Sequence, residues 1–155
     1  MRKVTLALSA AVALSLVAQS AAAQVRWLKL GPEIGLGTNG AGAAIGGRAV
    51  FTGLGEVTNL TGLAAYASFD YFLSTGSPWE INLNGTWDIP SITGPLKPYV
   101  GAGLNYAHAS GGSSSGLNLL GGTHFRPTPA LDTFGEIRIE LRSGSLVAFT
   151  IGVLF

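Results

Sequence analysis

The chain has no cysteine and, for 155 residues, few charges. Without cysteine there is neither a disulfide nor thiolate chemistry, so the fold depends on hydrogen bonding and packing. Charged residues make up 11% of the sequence, against roughly 25% in soluble domains. The only lysines are Lys3, Lys29 and Lys97, which is too few for an ordinary water-facing surface. The formal net charge of +1 predicts no basic patch for nucleic acid.

The first 23 residues have the order of a secretory signal peptide. Arg2 and Lys3 precede an apolar run at residues 4–17, and three alanines end at Ala23. The apolar run is shorter than the roughly 20 residues that cross a bilayer as a helix. We expect cleavage after Ala23 to leave one domain, residues 24–155, whose formal net charge is −1 because Arg2 and Lys3 are lost.

The remainder of the sequence shows the period of β-strands rather than that of helices. In WEINLNGTWDI, residues 79–89, every second residue is apolar or glycine and the intervening residues are polar. Similar segments recur between clusters of Gly, Ser, Pro and Asn. We predict eight strands of about 9 to 11 residues, the length with which a tilted strand crosses a bilayer. They lie at residues 27–36, 44–54, 63–73, 79–89, 99–108, 117–125, 131–141 and 146–155.

The connections between these strands contain typical turn residues. GTNGAG (37–42), STGSP (74–78), SGGSSSG (110–116) and RSGS (142–145) predict hairpin turns. IPSITGPLKP (89–98) and RPTPAL (126–131) contain prolines, which we expect to stop strand pairing. Pro32 lies inside the first strand and predicts a bulge or a local gap there.

The alternation leaves open which face of the sheet points outward. A soluble barrel hides its apolar face, whereas a membrane barrel turns that face to lipid. Trp79 and Trp87 share one face and lie roughly 20 Å apart along a tilted strand, close to the apolar band of outer-membrane barrels with its aromatic girdles. The opposite faces carry both signs of charge, which predicts pairing inside a narrow barrel. The predicted inward residues are Lys29, Glu33, Arg48, Tyr66, Asp70, Glu80, Asp88, Tyr99, His124, Arg126, Phe134, Glu136, Arg138 and Glu140.

Three segments resemble a known family, the small outer-membrane β-barrels of Gram-negative bacteria, which include OmpX-like, opacity-protein-like and OmpA-barrel proteins. KPYVGAGLNYAH (97–108) resembles the strand after a periplasmic turn, and RPTPALDTFGEIRIEL (126–141) resembles the penultimate turn and strand. LVAFTIGVLF (146–155) ends at Phe155 and resembles the signal that the barrel-assembly machinery recognises. The resemblance covers residues 24–155. The presumed outer loops are short and rich in Gly and Ser, unlike those of members with large adhesive surfaces.

The resemblance implies an all-β fold, an eight-stranded antiparallel up-and-down transmembrane β-barrel after a cleaved signal peptide. It places the chain in the outer membrane as a monomer with both termini in the periplasm. The implied partners are outer-membrane lipids, lipopolysaccharide and, through Phe155, the barrel-assembly machinery. An interior just wide enough for side chains predicts a narrow lumen without a wide channel.

No catalytic, cofactor-binding or metal-binding residue is predicted. His108 and His124 lie on different strands without ligands at metal spacing and are interpreted as structural or interfacial residues. Outer-membrane lipid A deacylases use a His and a Ser on a late strand, but Phe125 and Arg126 follow His124 here. The glycine run at 35–47 lacks the phosphate-loop signature and is interpreted as a hairpin bend.

A second reading keeps the barrel but inverts its faces. GTW at 85–87 is similar to a Gly-x-Trp motif of lipocalins, although here it closes the fourth strand instead of opening the first. The alternative function is therefore a soluble periplasmic, lipocalin-like barrel that binds a small hydrophobic ligand. A lumen lined by apolar residues would favour this alternative, and a lumen packed with paired charges would count against it.

Overall fold

Eight antiparallel strands close into a barrel in the computed structural model, which describes residues 27–90, 95–128 and 131–155. Each strand pairs with its neighbours in sequence, and the first pairs with the last, so every strand has a partner on both sides. Among the described residues, no helix has the length and apolar character to cross a membrane. The elements are β1 (Leu28–Gly37), β2 (Gly42–Phe51), α1 (Leu54–Thr58), β3 (Leu63–Phe72), β4 (Trp79–Asp88), β5 (Leu96–Ala109), β6 (Gly112–Thr128), β7 (Leu131–Leu141) and β8 (Leu146–Leu154).

The two ends of the barrel differ in their connections. At one end, here the hairpin end, four short turns join β1 to β2, β3 to β4, β5 to β6 and β7 to β8. In the first of these turns Asn39 and Gly40 both have positive φ, at 54° and 82°. This geometry suits Asn-Gly in a two-residue hairpin. The other end, here the terminal end, holds Trp27, Phe155 and the connection that contains α1.

The apolar faces of the strands point outward, as the membrane-barrel reading predicts. In β4, Leu83 is 59% exposed, whereas Glu80 is fully buried in the lumen. β7 follows the same rule, with Ile137 and Ile139 exposed and Glu136 buried. The predicted face assignment and the predicted fold class are therefore confirmed. The predicted signal peptide lies outside the described residues.

Large inward side chains lie opposite glycines on the neighbouring strand. Tyr99 pairs with Gly122 and Phe134 pairs with Gly152. An added Cβ would lie 2.6 Å from the Tyr99 hydroxyl at Gly122 and 2.5 Å from the Phe134 ring at Gly152. These glycines therefore leave the space in which the aromatic rings cross the narrow lumen, which accounts for part of the high glycine content.

β5 and β6 are longer than predicted, with 14 and 17 residues. The segment SGGSSSG was predicted as a turn, but pairing continues through it and leaves only Ser110 and Gly111 between the strands. Ladder hydrogen bonds join backbone groups, so small polar residues such as Ser113 and Ser115 sustain the pairing beyond the apolar band. The predicted turn at residues 110–116 and the predicted start of the sixth strand at residue 117 are therefore wrong.

The proline-rich connections also pair further than predicted. β5 begins before Pro98, which pairs with Thr123 of β6. Pro98 is tolerated because β4 ends at Asp88, opposite Tyr99, so the missing donor falls at the end of the neighbouring strand. β6 likewise extends to Thr128 after a register irregularity that begins at Phe125.

The segment after β2 forms a short helix that the sequence reading placed partly in a strand. β2 ends at Phe51, and the backbone N–H of Thr52 donates to the Trp27 carbonyl at 2.8 Å. α1 follows and ends at Thr58, and the C-cap residue Asn59 adopts the left-handed conformation with φ of 57°. Five helical residues are too few to show a helical period in the sequence.

Pro32 produces the predicted local gap. β1 and β8 pair from Glu33 to Gly37, and Leu30 and Phe155 exchange two backbone hydrogen bonds of 3.2 and 3.0 Å further along. Gly31 and Pro32 lie between these two paired regions. The gap is confined to the β8 side, since Pro32 stays in register with Gly47 of β2.

Gly122→Ala is expected to destabilise the barrel, because the new methyl group overlaps the Tyr99 side chain and the Gly135 carbonyl at 2.6 Å. Overpacking of this kind costs about 1–3 kcal/mol. The matched control is Gly135→Ala, whose methyl group has its nearest neighbour, Ile151, at 4.0 Å. Urea unfolding in lipid vesicles measures both. Equal midpoints for the two variants would contradict the role assigned to Gly122.

Candidate functional site

A cluster of charged and aromatic side chains fills the middle of the lumen. The Arg48 guanidinium donates two parallel hydrogen bonds of 3.0 Å to the Glu136 carboxylate and one of 2.8 Å to Glu33. Its Cζ lies 4.0 Å from the ring centroids of both Tyr66 and Phe134. Arg48 from β2 thus spans the lumen to β7, and the two rings cover its faces.

Glu136 is the main acceptor of this central cluster. Besides Arg48, it accepts hydrogen bonds from the Tyr66 hydroxyl at 2.7 Å and the Tyr99 hydroxyl at 2.9 Å. Four donors on one buried carboxylate replace the water that an exposed carboxylate would bind. The arrangement suits a fixed structural ion pair better than a group that must exchange protons with a substrate.

A second network lies between the central cluster and the hairpin end. Arg138 donates to Glu80 at 2.6 Å, to Asp70 at 3.1 Å and to Glu140 at 3.1 Å. Arg142 also bonds Glu140 and Glu80, at 2.9 and 3.3 Å. The two arginines bridge β3, β4 and β7, so the charges predicted on the inward faces are paired across strands.

Asparagine side chains complete the packing beside this network. The Asn118 amide donates to the side-chain oxygens of Asn82 and Asn84, both at 2.9 Å, and accepts from Asn105 at 2.6 Å. All four side chains are buried. These hydrogen-bonded asparagine side chains thus fill this part of the lumen.

A cavity of about 560 Å³ lies at the terminal end of the lumen. Asp132 lies at its wall and accepts hydrogen bonds from Lys29 at 2.7 Å and Arg126 at 2.9 Å. His124 approaches the other oxygen of Asp132 at 2.9 Å, and its ring is tilted against that of Tyr99 with 4.9 Å between the centroids. Tyr66, Tyr99 and Arg48 line the cavity on the side of the central cluster, and α1 and the following loop contribute Gly55, Glu56 and Asn59. We call this cavity the vestibule.

Aromatic side chains gather near both ends of the apolar wall. Towards the hairpin end, Trp79 lies 6.1 Å from Phe69, 5.9 Å from Tyr106 and 5.5 Å from His108 between ring centroids. At the terminal end, the Trp87 indole donates to the Thr61 carbonyl at 3.1 Å. Trp27, Phe51 and Phe125 are also exposed there. Two aromatic girdles around an apolar band are typical of barrels that cross a membrane.

Solved structures with this architecture are small transmembrane β-barrels. Neisserial surface protein A aligns with a TM-score of 0.59 and 18% identity over 82% of this chain and 94% of that protein. The N-terminal barrel of Pseudomonas aeruginosa OprF aligns with a TM-score of 0.60 and 14% identity over 82% and 97%. A designed transmembrane β-barrel aligns with a TM-score of 0.60 and 18% identity over 85% and 97%.

No protein-family model matches the sequence, and no curated protein sequence matches it either. At these identities the likeness concerns the fold, which is that of the small eight-stranded outer-membrane barrels. The resemblance found in the sequence is confirmed at that level, and the predicted location in the outer membrane agrees with it.

The structure separates the two histidines. His124 lies in the vestibule on Asp132, whereas His108 lies on the outer wall, where its ring nitrogen is 2.8 Å from the Ser113 hydroxyl. Within residues 27–90, 95–128 and 131–155, no group of three or more His, Cys, Asp or Glu side chains is arranged to hold a metal. The inward residues Tyr66, Tyr99 and Phe134 lie in the central cluster as predicted.

The sequence reading missed the vestibule and the asparagine cluster. Alternation places Asn82 and Asn84 inward beside Glu80, but Asn105 and Asn118 meet them only because of the register of β5 and β6. The convergence of Lys29, Arg126 and His124 on Asp132 likewise requires the barrel to close, since Lys29 belongs to β1 and the others to β6 and β7.

Leu83→Arg tests the outward face. Leu83 lies midway between Trp79 and Trp87 on β4, so a charge there meets the centre of the apolar band and costs about 2 to 4 kcal/mol. Leu96→Arg is the matched control, because Leu96 is similarly exposed but begins β5 at the terminal end, where about 1 kcal/mol or less is expected. The measurement is the free energy of unfolding of both variants and of the wild type in lipid vesicles. A negligible cost at Leu83 would place that face in water.

Proposed function

We propose that this chain is a non-enzymatic, monomeric outer-membrane β-barrel that contributes to the structure of the cell envelope. One observation carries the proposal: an apolar wall with aromatic girdles surrounds a lumen filled with paired charges. Such a barrel is held in lipid by its outer wall, while its interior offers no wide path for solutes.

The partners that fit the outer wall are lipids. Exposed Leu, Ile, Val and Phe side chains project from the strands between the two girdles. Phospholipid chains and, in the outer leaflet, the acyl chains of lipopolysaccharide match this surface. Because the hairpin end corresponds to the cell exterior in this proposal, the girdle around Trp79 lies at the outer leaflet and the vestibule opens towards the periplasm.

The hairpin end favours an envelope role over adhesion. Its turns are short, and Thr38 of the first turn exchanges two hydrogen bonds of 3.0 Å with Val147 at the start of β8. The Asn39 side chain also donates to the Ser145 carbonyl. Short turns, of which the first and the last are bonded to each other, present little area for a protein partner, whose standard interface buries about 800 Å² on each side.

The lumen counts against the lipocalin-like alternative. A hydrophobic ligand needs an apolar cavity, but the middle of this lumen holds Arg48, Glu136 and Arg138 in fixed ion pairs. The vestibule is lined by charged and hydroxyl side chains together with Val50, Leu63, Ala64 and Leu154. An acyl chain there would take hydration from Lys29, Arg126 and Asp132, which is unfavourable.

Location and envelope role are tested together. Cells that express the full chain are expected to carry it in the outer-membrane fraction, where unboiled protein migrates differently from boiled protein in a gel.

The envelope role is tested in cells that lack the chain. These cells are expected to become sensitive to detergent, and the wild-type chain is expected to restore their resistance. A variant with the four hairpin turns replaced by other turn sequences should restore it equally. Recovery in the soluble periplasmic fraction would overturn the membrane assignment, and failure of the turn variant would favour a surface interaction.

Phe155 is proposed as the contact for the barrel-assembly machinery. Its backbone pairs with Leu30 whatever its side chain is, so Phe155→Ser leaves the ladder intact. We expect this variant to lose most folded protein in cells but to refold normally into lipid vesicles without the machinery. Val153→Ser, on the same face two residues earlier, is the control. Equal loss in vesicles would show that Phe155 acts only by stabilising the barrel.

A further inference from the structure

The sealed part of the lumen contains more acidic than basic side chains. Three guanidinium groups, those of Arg48, Arg138 and Arg142, face five carboxyl groups. The carboxyl groups belong to Glu33, Asp70, Glu80, Glu136 and Glu140, whose side chains are at most 5% exposed. If all were ionised, two negative charges would remain uncompensated. Buried charge without a partner is strongly unfavourable.

The five carboxyl groups do not share this excess of negative charge evenly, because they differ in the number of donors around them. Glu80 and Glu140 each bond both Arg138 and Arg142, and Glu136 receives its four donors. Glu33 receives a hydrogen bond only on Oε2, from Arg48, and its buried Oε1 has no donor. Such an oxygen is costly to bury unless it is itself a donor.

Glu33 and Asp70 approach each other across a glycine. Gly46 of β2 pairs with Glu33 of β1 on one side and with Asp70 of β3 on the other. Asp70 leans over Gly46, so that its Oδ1 is 2.5 Å from the position of an added Cβ. The side chains of Glu33 and Asp70 are both buried in the lumen. Asp70 Oδ2 accepts from Arg138 and Asn82, whereas Oδ1 accepts from neither and lies over Gly46, the residue that pairs with Glu33.

We propose that Glu33 and Asp70 share one proton and form a buried proton-binding site in the lumen. The proton resides on Glu33 Oε1 and is donated to Asp70 Oδ1, while Glu33 Oε2 still accepts from Arg48. This arrangement gives the unpartnered oxygen a bond and reduces the excess charge from two to one. It also removes the repulsion that two ionised carboxylates would exert across Gly46.

Every neighbouring strand contributes to the surroundings of this pair. β2 supplies Arg48, β4 supplies Glu80 and Asn82, and β7, across the lumen, supplies Glu136 and Arg138. β8 contributes Gly152, directly opposite Glu33. A proton is favoured over a metal ion, because no metal-binding group of three acidic or imidazole side chains forms among the described residues. The proton site does not depend on the envelope role of the barrel.

Two isosteric variants test the proposal. Glu33→Gln replaces the protonated acid by an amide that donates to Asp70 and accepts from Arg48, so its urea midpoint should match that of the wild type. Glu136→Gln also removes one carboxyl group that bonds Arg48. Glu136, however, is ionised and accepts four hydrogen bonds, so this variant loses a negative charge that its donors require. Its midpoint should fall clearly, because Arg48 loses its bidentate partner.

Infrared spectroscopy of the wild-type barrel in vesicles provides a second readout. At neutral pH it should show the C=O stretch of one protonated carboxylic acid, and both Glu33→Gln and Asp70→Asn should abolish it. This measurement decides even if Glu136→Gln fails to fold.

Three results would overturn the proposal that Glu33 and Asp70 share a proton. The first is the absence of the carboxylic acid band in the wild type. The second is an equal loss of stability in Glu33→Gln and Glu136→Gln, which would mean that Glu33 is ionised. The third is a wild-type midpoint that rises when sodium replaces choline at constant ionic strength, which would place a metal cation between the two carboxylates.

Discussion

The structure depends on the closure of the β-sheet through the pairing of β1 with β8. In lipid, a backbone N–H or C=O without a partner costs several kcal/mol, so an open sheet edge is not tolerated. Pro32 removes a donor beside this last pairing, and the ladder resumes at Leu30 and Phe155 in the same register. The chain thus tolerates one local gap, because the pairs on either side of it hold β1 and β8 together.

Closure also determines what the interior contains. Eight strands leave a lumen just wide enough for side chains, and opposing strands bring arginines and carboxylates within 3 Å of one another. Desolvating these ions is costly, and only close hydrogen bonds offset the cost. Glycines opposite Tyr99, Phe134 and Asp70 make those contacts possible, since any side chain there would displace the ring or the carboxylate. The same packing that stabilises the interior fills the middle of the lumen.

Much of the fold was predictable from the sequence, and the predictions that are wrong have local causes. Alternation identified all eight strands and separated an apolar from a polar face in each, and the spacing of Trp79 and Trp87 favoured the apolar face as the outward one. It ended β5 and β6 too early, since the apolar pattern stops at the membrane boundary whereas backbone pairing continues through Gly112–Gly116. It missed α1, whose five residues are shorter than two helical turns. The inward residues were also predictable, but their partners were not.

The sequence by itself determined the strand count and the division of each strand into an apolar face and a polar face that carries both signs of charge, because period-2 alternation depends only on neighbouring residues. That the apolar face points outward was decided by the closed barrel. Only the tertiary structure decided that Arg48 bonds Glu136, 88 residues away, and that Glu33 meets Asp70 across Gly46. Such contacts depend on strand register and barrel closure, which set distances between residues far apart in the chain. The vestibule at the terminal end arises in the same way, from side chains of β1, β6 and β7 that meet only in the closed barrel.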